Sequence, residues 1–302
     1  MVKSELPAAG EISPVRAQSQ AEPWSASLAL RFAREAGSSV LTDNRHSGPL
    51  RVQKALYPEG GDVCHAVIVH PPGGIAGGDR LAIKVALEAG AKALITTPGA
   101  SKWYKARGTG PQARSRARQD LSFELAAGAS LEWLPQEGIV FDAAEVGMES
   151  RIDLAEGACY VGWEILCLGR AASGETFSQG SIRQRVSITQ AGKLIWNEAG
   201  TLEAAGNQMA SAVGWQGATV CATLLIAGHA LPNAALEELR ALLESLRQTG
   251  ERVALSRLPQ VVVARYLGDS SERARTLLTA LWQHLRPAAI GASPITPRIW
   301  QT

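Results

Sequence analysis

Five stretches of this chain end in the same corner, and a chain that repeats a corner has to stack the segments between. Phe32-Ala-Arg-Glu-Ala-Gly37, Val85-Ala-Leu-Glu-Ala-Gly90, Phe123-Glu-Leu-Ala-Ala-Gly128, Ile152-Asp-Leu-Ala-Glu-Gly157 and, more loosely, Ile188-Thr-Gln-Ala-Gly192 each lead through a glycine turn into a second apolar segment. Before Gly90 the pattern is cleanest: Leu81, Ile83, Val85 and Leu87 fall on one face of an extended strand. The copies are unevenly spaced, so this is no strict repeat. The expected fold is mainly β, with stacked hairpin layers of a β-helical or solenoid kind.

The texture changes after residue 232. Asn233 is placed to cap a helix whose apolar face carries Leu236, Leu239, Leu242, Leu243 and Leu246, ending near Gly250. Residues 252–267 read as one or two strands around Pro259. Ser270 or Ser271 opens a second helix through Ala274, Leu277, Leu278, Leu281 and Leu285 that stops before Pro287. The tail GASPITPRIWQT (291–302) contains two prolines and is not read as helical. The expected organisation is a flexible extension over 1–23 and a single domain over 24–302. That domain divides into a β-rich part (24–231), a small α/β cap (232–286) and a proline-rich tail (287–302).

Composition narrows the class. Of 302 residues, 46% are apolar and 19% charged, which supports a sizeable core and excludes wholesale disorder. A net charge of +2 is too small to imply nucleic acid. Cys64, Cys159, Cys167 and Cys221 form no CxxC pair, which fits a reducing compartment. The N-terminus lacks the apolar stretch of a signal peptide, and the longest apolar run, near 220–230, is too short to cross a bilayer. A cytoplasmic protein with no membrane partner is expected.

The most unusual loop is HPPGGIAGGDRL, residues 70–81. Pro71 and Pro72 end the preceding strand. Gly73 and Gly78 have P-loop spacing, but Asp79 stands where that loop needs lysine, so phosphate binding is set aside. Cys64, His65, His70 and Asp79 are metal-ligand types within one short stretch. In an extended segment, though, Cys64 and His70 lie about 20 Å apart, at roughly 3.3 Å per residue. A closed site therefore needs distant residues. Taken alone, Cys64 reads as a small buried apolar residue and His65 as a hydrogen-bonded histidine.

Three carboxylates stand beside tryptophans, in Glu132-Trp133, Trp163-Glu164 and Trp196-Asn197-Glu198, each after a corner. If the layers stack, they line one channel; otherwise each is an edge glutamate beside a packed indole. Lys102, Lys105, Arg107, Arg114, Arg116 and Arg118 form a basic run suited to an acidic protein or RNA, or to protecting a strand edge. Trp103 and Tyr104 add an aromatic element to that stretch. No GxSxG occurs, and Ser101 has no base near it in sequence.

HPPGGIAGGDRL, TTPGASKWY (96–104), LEWLPQEGIVF (131–141), WEILCLGR (163–170), GETFSQG (174–180) and SPITPRIW (293–300) together resemble urease accessory proteins of the UreD type, called UreH in some bacteria. The motifs run in the family's order to the C-terminus. The resemblance implies a non-enzymatic cytoplasmic chaperone of β-helical fold that bridges urease apoprotein to UreF and, through UreF, to the GTPase UreG. It implies no stably bound cofactor, with Ni2+ in transit through an internal passage. By motif, Asp79 and Glu198 are the expected acids of that passage. Arg80 stands where some relatives carry a second acid. With His70 and Glu164 added, these four form the expected transient nickel path. Trp103, Tyr104, Arg298 and Trp300 are the expected partner interface; the tail bearing the last two either docks a partner or folds back on the domain. Two rival readings remain: a pure scaffold without a metal path, and a β-helical enzyme acting on polysaccharide, which requires an open acidic cleft.

Overall fold

The computed structural model describes residues 23–106 and 115–301. The extension read over 1–23, apart from Pro23, and Arg107 and Arg114 of the basic run lie outside the described residues. The chain opens with β1 (Ser25–Glu35), β2 (Ser38–Ser47), β3 (Arg51–Leu56), β4 (Cys64–Val69), β5 (Ile75–Gly77) and β6 (Arg80–Leu87). It continues with β7 (Lys92–Thr96), β8 (Ser101–Ala106), β9 (Ala117–Leu125), β10 (Ser130–Trp133), β11 (Gly138–Val140) and β12 (Ala144–Leu154). Then come β13 (Cys159–Leu168), β14 (Gly180–Gln190), β15 (Lys193–Glu203), β16 (Val220–Ala227), α1 (Asn233–Leu246), β17 (Arg252–Arg257), β18 (Val261–Gly268) and α2 (Ser271–Ile290).

The strands form two sheets. The outer sheet has the order β15-β14-β12-β9-β6-β1-β2, parallel from β14 to β1, with an antiparallel hairpin at each end. The central sheet has the order β17-β18-β16-β13-β10-β7-β4-β3, parallel from β13 to β4; short strands β5, β8 and β11 join it off this path. The protein is thus mainly β with two helices, as expected.

The five corners are not all hairpins. At Gly37 and Gly192 the chain does turn back on its own sheet, and both corners carry two successive residues at positive φ, Ala36-Gly37 and Ala191-Gly192. That is the type I′ pattern, whose twist suits a two-residue hairpin. At Gly90, Gly128 and Gly157 the chain instead crosses from the outer sheet to the central one. These crossings stack: Gly90 N donates to Ala127 O (3.0 Å), and Gly128 N to Glu156 O (3.3 Å). The reason lies in the strand that each turn leads into. β7, β10 and β13 are buried along nearly their whole length and need a place covered on both sides. β2 and β15 are largely exposed and can close a sheet edge.

Layering comes from the same patterns. Alternating residues of the outer sheet, such as Leu81, Ile83, Val85, Leu121 and Phe123, pack against Ile95, Leu131 and Tyr160 of the central sheet in a first core. The other face of the central sheet, with Val161, Trp163, Ile165, Leu224 and Tyr266, packs under α1 and α2 in a second. In α1, Leu236, Leu239 and Leu243 are buried.

Three local readings need correction. Asn233 does not cap α1; Pro232 takes that place, and the Asn233 Oδ1 accepts from Arg257 Nη1 (2.6 Å). Ser270 does cap α2, accepting from Arg273 N (3.2 Å), but α2 continues through Pro287 to Ile290. Burial of Ala289 and Ile290 draws the last turn onto the core, and Gly291 ends it in the left-handed region at φ 65°. The tail contains a 3-10 turn at Arg298–Gln301.

Candidate functional site

A cavity of ≈ 760 Å³ lies between the two sheets and is lined from one end of the stack to the other. At one end are Glu198 and Gly200 of β15, Arg252 of β17 and Arg265 of β18. The middle is lined by Gln119, Met148 and Gln184 of the outer sheet and by Tyr160, Glu164 and Thr223 of the central sheet. At the far end are Ile68, His70, Gly74 and Lys102.

Strand register sets the polar rung in this cavity. Glu164, Thr223 and Arg265 stand side by side across β13, β16 and β18. Facing them, Gln184 of β14 donates through Nε2 to Glu164 Oε2. Glu198 sits on β15, opposite Val186 of β14, and accepts from Arg265 Nη2 at 2.5 Å. Each acid is therefore held by a donor from the other sheet. Burial first, and the neighbouring Glu198 carboxylate second, push the Glu164 carboxyl up to about 7. The Glu198–Arg265 pair is about half exposed, at 43% and 48%, and such a pair contributes at most about 1 kcal/mol to stability.

Of the four path residues expected from sequence, His70, Glu164 and Glu198 line this cavity; Asp79 does not. Asp79 is 2% exposed, and both its carboxylate oxygens accept backbone N–H groups, from Trp24 (3.2 Å) and Ala76 (2.8 Å). It ties the start of β1 to the glycine loop, and its charge reaches His70. Burial lowers the His70 pKa, and the Asp79 charge opposes that shift. Cys64 and His65 are buried on β4.

Glu132 does not join the channel. Alternation along β10 turns Trp133 toward the outer sheet and Glu132 toward the helices. There Arg286 of α2, fully buried, donates to both oxygens of Glu132 (2.9 and 2.9 Å) and both of Glu59 (2.6 and 2.6 Å). His65 Nε2 meets Glu59 at 2.5 Å, and Trp282 Nε1 donates to Glu132 at 2.6 Å. Burial pushes Glu132 up against the pull of Arg286. Burial acts the same way on Glu59, but the His65 and Arg286 hydrogen bonds outweigh it and hold Glu59 low.

The residues expected at a partner interface are divided. Trp103 is 1% exposed, because β8 packs between β5 and β11, so it offers no surface. Tyr104 is half-buried, edge-on to Phe141 with ring centres 4.6 Å apart. Trp300 folds back: its Nε1 donates to Thr96 Oγ1 (2.8 Å), and its ring packs on Trp163 and Trp282. Arg298 remains exposed. In the basic run, Lys102 lines the cavity, Arg116 pairs with Glu145 (3.4 Å) and Arg118 is exposed.

Gln184, Thr223 and Arg265 were not expected here. Thr223 and Arg265 reach Glu164 through long-range strand pairing and Gln184 through the facing of the two sheets, so no local signal placed them there. Among the described residues, no three His, Cys, Asp or Glu side chains converge into a group that would hold a metal. All four cysteines are free. No helix among the described residues is long and apolar enough to cross a membrane.

The sequence model of the UreD urease accessory protein family matches residues 25–301. The chain belongs to the UreD family. Urease accessory protein UreD of Janthinobacterium sp. (strain Marseille) is 50% identical over 277 residues, covering 92% of this chain and 91% of its own. UreD of Dechloromonas aromatica (strain RCB) is 47% identical, covering 96% of this chain and 98% of its own. UreD of Methylobacillus flagellatus is 46% identical, covering 92% and 95%. As a UreD protein the chain is a urease maturation factor and not an enzyme, so the polysaccharide reading falls.

Proposed function

We propose that this UreD protein passes Ni2+ to urease apoprotein through the cavity between its sheets, while bridging the apoprotein to UreF and, through UreF, to UreG in the cytoplasm. The three stacked crossings at Gly90, Gly128 and Gly157 are read as successive coils of a β-helix, with the cavity as its bore. The observation that carries the reading is the spread of donors. His70, Glu164 and Glu198 line one cavity, Glu164 and Glu198 as neighbours in one rung and His70 at the far end.

Spacing matters because a passage has to release what it binds. Three or four converging protein ligands would trap a transition metal. One or two carboxylate or imidazole donors at a time leave water in the remaining positions, and still lower the electrostatic cost of moving a dication through protein. Asp79, with both oxygens committed to backbone, supports the loop that presents His70.

The test is Glu198→Ala and Glu164→Gln in cells expressing urease with its accessory proteins. Nickel content of the urease and recovery of the accessory complex are measured together. The reading expects nickel to fall several-fold with the complex recovered intact. Unchanged nickel in both variants would leave a scaffold that holds its partners in register.

A further inference from the structure

A guanidinium is a strange thing to find in a passage for cations. Arg265 nevertheless lines the cavity, reaches across to Glu198 on the other sheet at 2.5 Å, and stands one strand beyond Thr223 from Glu164. Its side chain is 48% exposed, so it has water to move into and need not be stranded unpaired. Glu164, by contrast, is held by the neutral amide of Gln184, which competes for it with no charge.

We propose that Arg265 is the residue that keeps the cavity's hold on a divalent cation weak and excludes monovalent ones. This deepens the nickel-passage reading and rests on it. With no cation present, Arg265 occupies Glu198, and the group Glu164, Glu198 and Arg265 carries one net negative charge when both acids are ionised. A dication that sheds water at Glu198 displaces the guanidinium toward solvent and meets two negative charges. No covalent bond changes; guanidinium–carboxylate hydrogen bonds are exchanged for metal–carboxylate and guanidinium–water contacts. When the cation moves on, Arg265 returns to Glu198 and blocks recapture. A monovalent cation gains nothing by replacing an equal charge that already donates a hydrogen bond.

The test is calorimetric titration of the full chain with Ni2+ alone, followed by its release to a chelator, for wild type, Arg265→Gln, Arg265→Lys, Glu198→Gln and the double variant Arg265→Gln/Glu198→Gln. Arg265→Gln is expected to bind Ni2+ about tenfold more tightly, since a neighbouring positive charge is gone, and to release it more slowly. Arg265→Lys, which keeps the charge, stays near wild type. The gain disappears in the double variant. Added K+ competes with Ni2+ in Arg265→Gln and not in wild type. Unchanged or weaker binding by Arg265→Gln, with Glu198→Gln still weakening the wild-type site, overturns the role of Arg265 and leaves the passage standing. If Glu198→Gln alters Ni2+ binding in neither background, the passage itself fails.

Discussion

Glu132 and Glu164 sit on adjacent strands of one sheet, yet alternation sends them to opposite faces and opposite fates. Glu132 is locked under Arg286, in a group where removing one partner strands the others in the core. Arg286→Met should therefore cost about 3–5 kcal/mol, read as a lower urea midpoint, because two buried carboxylates lose their shared cation; a midpoint equal to wild type would contradict the network. Glu164 faces the cavity and titrates at about 7 when folded, above its ordinary 4.5. The folded chain thus keeps a proton that the unfolded chain gives up. This group's contribution to stability falls as pH rises from about 4.5 to about 7 and is level above that. Glu164→Gln removes that fall, so its stability relative to wild type should be greater at about pH 8 than at about pH 5. An identical pH profile for the two proteins would show that Glu164 titrates normally. Sequence identified these carboxylates as chemistry-bearing but could not sort them. The dipeptides Glu132-Trp133 and Trp163-Glu164 differ in order, and only the placement of the strand decides which member faces the cavity.

Elements were more legible than residues. The apolar face of each helix can be read directly from residue type and spacing, and the cap at Ser270 or Ser271 and the one or two strands around Pro259 were narrowed by the structure to Ser270 and two strands. What the corners do could not be read from the corners: Glu-Ala-Gly at 35–37 makes a hairpin and Glu-Ala-Gly at 88–90 makes a crossing. The next segment carries the distinction, polar and largely exposed after Gly37, buried on both faces after Gly90. The glycines also differ in how much change they tolerate. Gly128 has φ 67° with open space around an added Cβ, so Gly128→Ala costs only the left-handed backbone term, about 1–2 kcal/mol. At Gly180, φ is 100° and a Cβ would run into the carbonyl oxygen of Ala144 on the neighbouring strand, so β14 has to move. Urea unfolding of the two alanine variants should rank Gly180→Ala as clearly the less stable; the reverse order would mean that β14 is not held against β12 as described.

At the scale of the whole molecule, three layers place one cavity where the two sheets face each other. The mainly β class and the terminal helices could be expected from hydrophobic periodicity. The cavity could not, because its rung joins β13, β16 and β18, paired across long separations, to β14 and β15 of the facing sheet. The family resemblance supplied the idea of a passage, while the structure places Asp79 outside the cavity and Gln184, Thr223 and Arg265 in its lining. The most direct test of the passage is to plug it without touching a charged group. Gly200 lines the cavity beside Glu198, and a Cβ there meets nothing within 4 Å. Urease matured with Gly200→Trp in this protein should be recovered with its accessory complex intact but with most of its nickel missing. A full complement of nickel behind that indole would contradict the account.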